Sequence, residues 1–305
     1  MRLLCLGEAL IDFKSGGGLA FQGHPGGSPM NVAVAASRLG TPTGFLSQIS
    51  TDLFGGHLLR HLEASGVDTS LLLRSDLPTA LAFIEDARGD VQFEFVANSS
   101  ADVMFDPKPR PRLPGSLRWL QFGSISLLRG PSATAITDIV RAFDGSILLD
   151  PNVRPTLIAD RADYRERLDE WAALSDVVKL SMQDLAWLQA SPEELADSWL
   201  GGRTRALVVT RGGQGASAYL RPGERLDVAG VPARVVDTVG AGDSFTGALL
   251  SWFDARELPA TPEGWRQALR FACTAAAVTC GREGADPPWA RELDWKTPDF
   301  PDASL

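Results

Sequence analysis

Asp237-Thr238-Val239-Gly240-Ala241-Gly242-Asp243-Ser244-Phe245-Thr246-Gly247 sets the reading of the whole chain. An apolar, strand-like run at 231–236 precedes it, and a helical pattern through Ala248, Leu249, Trp252 and Phe253 follows. Strand, glycine turn and helix in that order leave main-chain N–H groups converging at a helix N-terminus, where the macrodipole favours an anion. Asp243 falls in the first helical turn. A carboxylate there is either an N-terminal stabiliser worth about 0.3–1 kcal/mol or a group with chemistry to do. Beside a bound phosphate it is repelled unless it accepts a proton from an attacking hydroxyl.

The same alternation extends over most of the 305 residues. Apolar runs at 3–6, 44–49, 118–122, 146–149, 177–180 and 206–210 suit strands buried on both faces of a parallel sheet. Amphipathic segments at 29–39, 54–64, 132–143, 164–174 and 182–188 lie between them. The expected fold class is α/β, with helices on both faces of the sheet. One stretch breaks the rhythm: the runs 79–84 and 91–95 flank Gly89 and predict an antiparallel hairpin, either a lid or a surface decoration. No repeat or long linker divides the chain, so a single domain over 1–305 is expected, with an inserted small sheet from about 13–24 and 79–104.

Composition narrows the function. The net charge of −9 (29 basic against 38 acidic residues) argues against nucleic-acid binding, which needs a basic footprint. Three cysteines without CxxC spacing argue against a disulfide framework or a zinc site and suit a reducing cytoplasm. No apolar stretch is long enough for a membrane span. A dinucleotide fingerprint would need glycine where Phe245 stands, no Gly-Lys-Ser/Thr P-loop occurs, and His57 and His61 lack the glutamate of a metalloprotease helix.

A second glycine-rich stretch, Gly26-Gly27-Ser28-Pro29-Met30-Asn31, opens the 29–39 helix. Ser28 is a natural N-cap and Pro29 fits the first turn. Paired glycines allow a ligand close to bare backbone, and Asn31 can either bond a polyol or face solvent.

Together these residues resemble the ribokinase-like (PfkB) carbohydrate kinase family. Gly26-Gly27-x-Pro29-x-Asn31-x-Ala33 is similar to its N-terminal signature and Asp237-Thr238-x-Gly240-Ala241-Gly242-Asp243 to its C-terminal one. Gly66-Val67-Asp68, Thr210-Arg211-Gly212 and Gly284-Ala285 extend the likeness over nearly the whole chain. Within the family, Gly7-Glu8-Ala9-Leu10-Ile11-Asp12, Pro78-Thr79-Ala80-Leu81-Ala82-Phe83 and Asp150-Pro151-Asn152-Val153-Arg154-Pro155 resemble fructokinases. The resemblance implies a Rossmann-like three-layer α/β/α domain with a small β-sheet lid that forms a homodimer contact. It implies ATP and Mg²⁺, with fructose the leading acceptor; 2-keto-3-deoxygluconate, ribose or a nucleoside are alternatives, as is a non-catalytic sugar or nucleotide sensor.

The resemblance also assigns roles. Asp243 would be the general base and the Gly240, Ala241 and Gly242 amides the anion hole. Arg154 would contact the sugar or the transferring phosphate, unless it makes only a surface salt bridge. Asp12, Gly26, Gly27 and Asn31 would hold the sugar. Ser181, Thr210, Gly212 and Gly215 would line the nucleotide, and Ala272, Ala276 and Thr279 would wall the adenine, although small residues on a helix also suit plain close packing. Asp237, Val239 and Gly284 match positions that bind a monovalent cation, K⁺, in some relatives. The family's Asn-x-x-Glu pair reads Ser181-x-x-Asp184 here. Asp184 would then reach Mg²⁺ through water, or the pair would be a helix cap.

Overall fold

In a computed structural model, residues 1–87, 90–220 and 224–293 are described. The first part of the chain forms β1 (Leu3–Leu6), β2 (Leu10–Ser15), β3 (Phe21–Gly26), α1 (Ser28–Arg38), β4 (Thr43–Leu46), β5 (Gln48–Ser50) and α2 (Leu53–Ala64). Then come β6 (Leu73–Ser75), β7 (Ala80–Ala87), β8 (Asp90–Val96), β9 (Trp119–Gly123), α3 (Gly130–Arg141), β10 (Ser146–Asp150) and α4 (Arg161–Ala173). The remainder is β11 (Val177–Ser181), α5 (Met182–Leu188), α6 (Pro192–Trp199), β12 (Ala206–Thr210), β13 (Ala216–Leu220), β14 (Glu224–Val228), α7 (Ala241–Arg256) and α8 (Pro262–Cys280).

Eight strands make the main sheet in the order β14-β13-β12-β11-β10-β9-β1-β4, parallel from β12 to β4. The alternating side chains of β1 show how it is filled. Leu3 and Cys5 join the core shared with α1, α7 and α8, whereas Leu4 and Leu6 join the one shared with α3 to α6. This is the three-layer α/β/α arrangement. Chain order reverses direction between β1 and β9, so a crevice opens at their C-terminal ends, where open α/β sheets place ligands.

A second sheet, β3-β2-β7-β8, stands apart from the first. Phe13 of β2 stacks on Phe83 of β7 and meets Phe54 of α2 edge-on, which fastens this sheet to the main body. The expected hairpin is present as β7 and β8, and the turn at Gly89 lies outside the described residues. Its second strand ends at Val96, one residue past the expected run 91–95, and Ala97, Ala101 and Phe105 beyond it are buried.

Two expected strands differ. The run 44–49 splits at Ser47: β4 stays in the main sheet and β5 leaves to pair with β6. The run 231–236 forms no strand at all; Val235 and Val236 are exposed on a loop. Among the described residues no helix is long and apolar enough to cross a membrane.

Candidate active site

Gly240 caps α7 in the left-handed conformation (φ 73°), and a Cβ there would run into Ala285, so only glycine makes this turn. The Ala241 amide is engaged by the Thr238 carbonyl (3.3 Å). Of the expected Gly240-Ala241-Gly242 trio, the Ala241 amide is thus shared with the turn. The amides left open are those of Gly240, Gly242 and Asp243, the orphan donors that any helix start presents.

Asp243 sits in that first turn, 8% exposed. Ser28 Oγ donates to its Oδ1 (2.7 Å) and Asn31 Nδ2 to its Oδ2 (2.8 Å). Ser28 is therefore not the N-cap of α1. Gly27 holds that position with φ 106° and no side-chain bond, because the Glu8 carbonyl presses against it, and the Ser28 hydroxyl is left to turn to Asp243. Asn31 is buried, not solvent-facing, and its Oδ1 is buried without a partner, an acceptor ready for a hydroxyl.

Asp12 lies on β2 against Gly26, where a Cβ would overlap its carboxylate. Burial pushes its pKa up to about 7, offset in part by Arg154 and reinforced by Asp243 and Glu8. Arg154 is half-buried and donates to the Asn152 carbonyl (3.1 Å) and side-chain oxygen (2.7 Å), which fixes its loop.

Ser181 and Thr210 stand side by side at the ends of β11 and β12, with Gly212 and Gly215 in the turn after β12. Of the two readings of Asp184, the structure shows the helix cap. It completes a capping box with Ser181, whose amide and hydroxyl both donate to its Oδ2, and its Oδ1 accepts from the Val153 amide. The shorter carboxylate closes on its own cap and pins the Arg154 loop.

The residues expected to wall the adenine differ in exposure. Ala272 and Thr279 are fully buried against the core, and Thr279 Oγ1 donates to Ser244 Oγ (2.8 Å), so that face of α8 is close packing against α7. Ala276 is half-buried. A cavity of about 480 Å³ opens on a neighbouring face, where Thr274, Ala277, Val278 and Gly281 meet residues 231–234 and Val236. The apolar run misread as a strand is one wall of this cleft. Its volume falls in the range of small-molecule sites.

Sequence reasoning passed over two further groups. Glu8, buried after β1, accepts from the amides of Ser28 (3.2 Å) and Ser126 (3.2 Å), and burial pushes its pKa up to about 7, opposed by the side chains of Ser124 and Ser126. Lys179 is 4% exposed and donates to Asp150 Oδ2 (3.0 Å), which is wholly buried. Thr246 Oγ1 donates to the same carboxylate oxygen (2.8 Å), and a Cβ on Gly242 would lie 3.3 Å from Lys179 Nζ. A charged residue inside the apolar run 177–180 was the available signal.

A mainly parallel sheet, a glycine turn at a helix start and a carboxylate held beside it suit the carbohydrate-kinase class of protein. Residues 2–291 match the model of the pfkB family carbohydrate kinases, and the chain belongs to that family. It is 37% identical over 257 residues to a fructokinase of Rhizobium leguminosarum bv. trifolii, covering 82% of this chain and 78% of that one. It is similar to the ATP-bound structure of Xylella fastidiosa fructokinase (TM-score 0.84, 30% identity, 93% of each chain). It is also similar to a double mutant of fructokinase from Vibrio cholerae O395 in a fructose, ADP and potassium ion bound form (TM-score 0.83, 26% identity, 93% of each chain).

Proposed function

We propose that the protein transfers the γ-phosphoryl group of ATP to the 6-hydroxyl of fructose. The observation that carries this reading is the Asp243 carboxylate, held by Ser28 and Asn31 beside the open amides of the α7 start. The cleft between α8 and the 231–236 loop takes the adenine end, and the polyphosphate runs along the loop to Gly240. Asp12, the Asn31 side-chain oxygen and Arg154 grip the sugar. As the sugar oxygen bonds to phosphorus, its proton passes to Asp243; the bond from phosphorus to the bridging oxygen breaks and ADP leaves with that electron pair. The Gly240, Gly242 and Asp243 amides take up charge on the transferring oxygens, where one such donor is commonly worth about 3 kcal/mol. Mg²⁺ arriving with ATP would supply further charge neutralisation at the transferring phosphate.

The small sheet serves as lid and dimer contact in this reading, supported by the exposure of Phe21 and Val96 on it. Cytoplasmic residence is supported by three free cysteines. A panel of fructose, 2-keto-3-deoxygluconate, ribose and nucleosides with coupled ADP detection tests the acceptor. Fructose is expected to give the highest kcat/KM, and a higher value for any other member replaces it. Tight sugar binding without ADP formation across the panel favours a sensor instead.

Asp12 makes the sugar step pH-dependent. Ionised, its carboxylate accepts hydroxyl hydrogen bonds on both oxygens, and with a pKa of about 7 it protonates as pH falls through neutrality, which turns one of those acceptors into a donor. The ionised fraction drops about tenfold from pH 8 to pH 6, and kcat/KM for sugar should drop with it. Asp12→Asn should have low kcat/KM and lose this slope. A slope that survives the substitution assigns the dependence to another group.

A further inference from the structure

Asp237 stands three residues before Gly240, and its carboxylate joins three segments. Its Oδ1 accepts from the Val239 amide (3.1 Å), and its Oδ2 accepts from the Gly284 amide (3.1 Å) and from Lys14 Nζ (3.0 Å). Val239 leads into the phosphate turn. Gly284 precedes Ala285, which packs on Gly240. Lys14 comes from β2 in the small sheet, 223 residues away in sequence. At these positions the resemblance leads one to expect a potassium ion, yet the residues present do not fit one. The carboxylate is buried, its Oδ2 already takes two donors, and the cation it pairs with is a side chain of the protein.

Electrostatics explain why something positive belongs there. A carboxylate so near a turn that collects a polyphosphate opposes the ligand unless its charge is cancelled, and an ammonium cancels it as well as a potassium ion does. A tethered ammonium also needs no free ion from solution, because its effective concentration is set by the fold. We propose that Lys14 Nζ is the built-in monovalent cation of this site: it neutralises Asp237, steadies the Val239–Gly240 turn and removes the need for added potassium. The inference rests on the kinase reading above. Since Lys14 rides on the small sheet, the same contact ties the position of that sheet to the phosphate turn.

The test compares wild type and Lys14→Met in potassium-free Tris with choline chloride and after replacement of choline by potassium at equal ionic strength. Wild-type kcat/KM, ADP dissociation constant and Tm should be indifferent to the exchange, within about twofold for the constants. In choline, Lys14→Met should lose about fivefold or more in kcat/KM and ADP affinity. Potassium should restore both and raise the Tm of this variant alone. Strong potassium activation of wild type, an unimpaired variant in choline, or a loss that potassium leaves unrepaired each overturns the assignment. Absence of sugar-dependent ADP formation in every salt would strike the kinase reading instead, while the ADP and Tm comparisons would still judge Lys14.

Discussion

Asp243→Asn is expected to lower kcat by about 10³-fold, within the range that general-base removal commonly costs, while ADP affinity and Tm stay near wild type. The geometry makes this a clean substitution. Asp243 accepts one hydrogen bond on each oxygen, from Ser28 Oγ and from Asn31 Nδ2. An asparagine can keep both contacts, its oxygen facing Asn31 and its amide donating to Ser28, whose hydroxyl rotates to suit. What disappears is the ability to accept the sugar proton. The open amides of Gly240, Gly242 and residue 243 remain, so nucleotide binding should persist. Steady-state assays with fructose and ATP read kcat, and calorimetric titration reads ADP affinity. A variant turning over within tenfold of wild type would remove Asp243 from the proton-transfer step. Loss of ADP binding alongside kcat would show instead that the substitution disturbs the turn.

Much of this site was legible because each of its parts breaks a local rule. Paired glycines before α1, a carboxylate in the first turn of α7 and an arginine at the end of β10 are residues that local packing does not require. The parallel strands were readable because burial on both faces demands continuous apolar runs, as at Leu3–Leu6 and Ala206–Thr210. The failures have the same physical root. A valine-rich run satisfies a sheet interior and a ligand cleft equally, so 231–236 looked like a strand before its position against α8 was known. Helical periodicity groups Ala272 and Thr279 on one face but does not say whether that face meets a nucleotide or α7. Ser28 looked like a cap because serine before a helix usually is one; only the approach of α7 shows that its hydroxyl has a different acceptor. Asp184 is the converse case, where a position expected either to reach a metal through water or to cap a helix closes a local cap.

Lys179→Met should produce the largest stability loss of any single change near the site. Lys179 is on β11, directly beside β10, and its ammonium meets both oxygens of Asp150 at 3.3 and 3.0 Å. Burial pulls the lysine pKa down, but Asp150, Asp184 and Asp243 more than offset this and hold it above its ordinary value. A raised lysine pKa gives a contribution present below the unfolded pKa and lost only as pH rises through the folded one, so the ammonium stays charged throughout the neutral range. Burial also raises the Asp150 pKa against the pull of Lys179, so the pair loses its charge from the acid side first. Methionine fills nearly the same volume while leaving the Asp150 carboxylate wholly buried with Thr246 as its one remaining donor among the described residues. Stranding a buried charge in this way costs about 3–5 kcal/mol, which for a chain of this size is a fall in Tm of roughly 5–10 °C. The second variant separates charge from packing. Lys179→Met combined with Asp150→Asn removes both charges, and it should recover most of the lost Tm, because two neutral side chains of similar shape need no counter-ion. If the double variant is as unstable as the single one, the loss comes from the packing of the lysine stem, and the ion pair is not what supports the strand ends beneath Gly242.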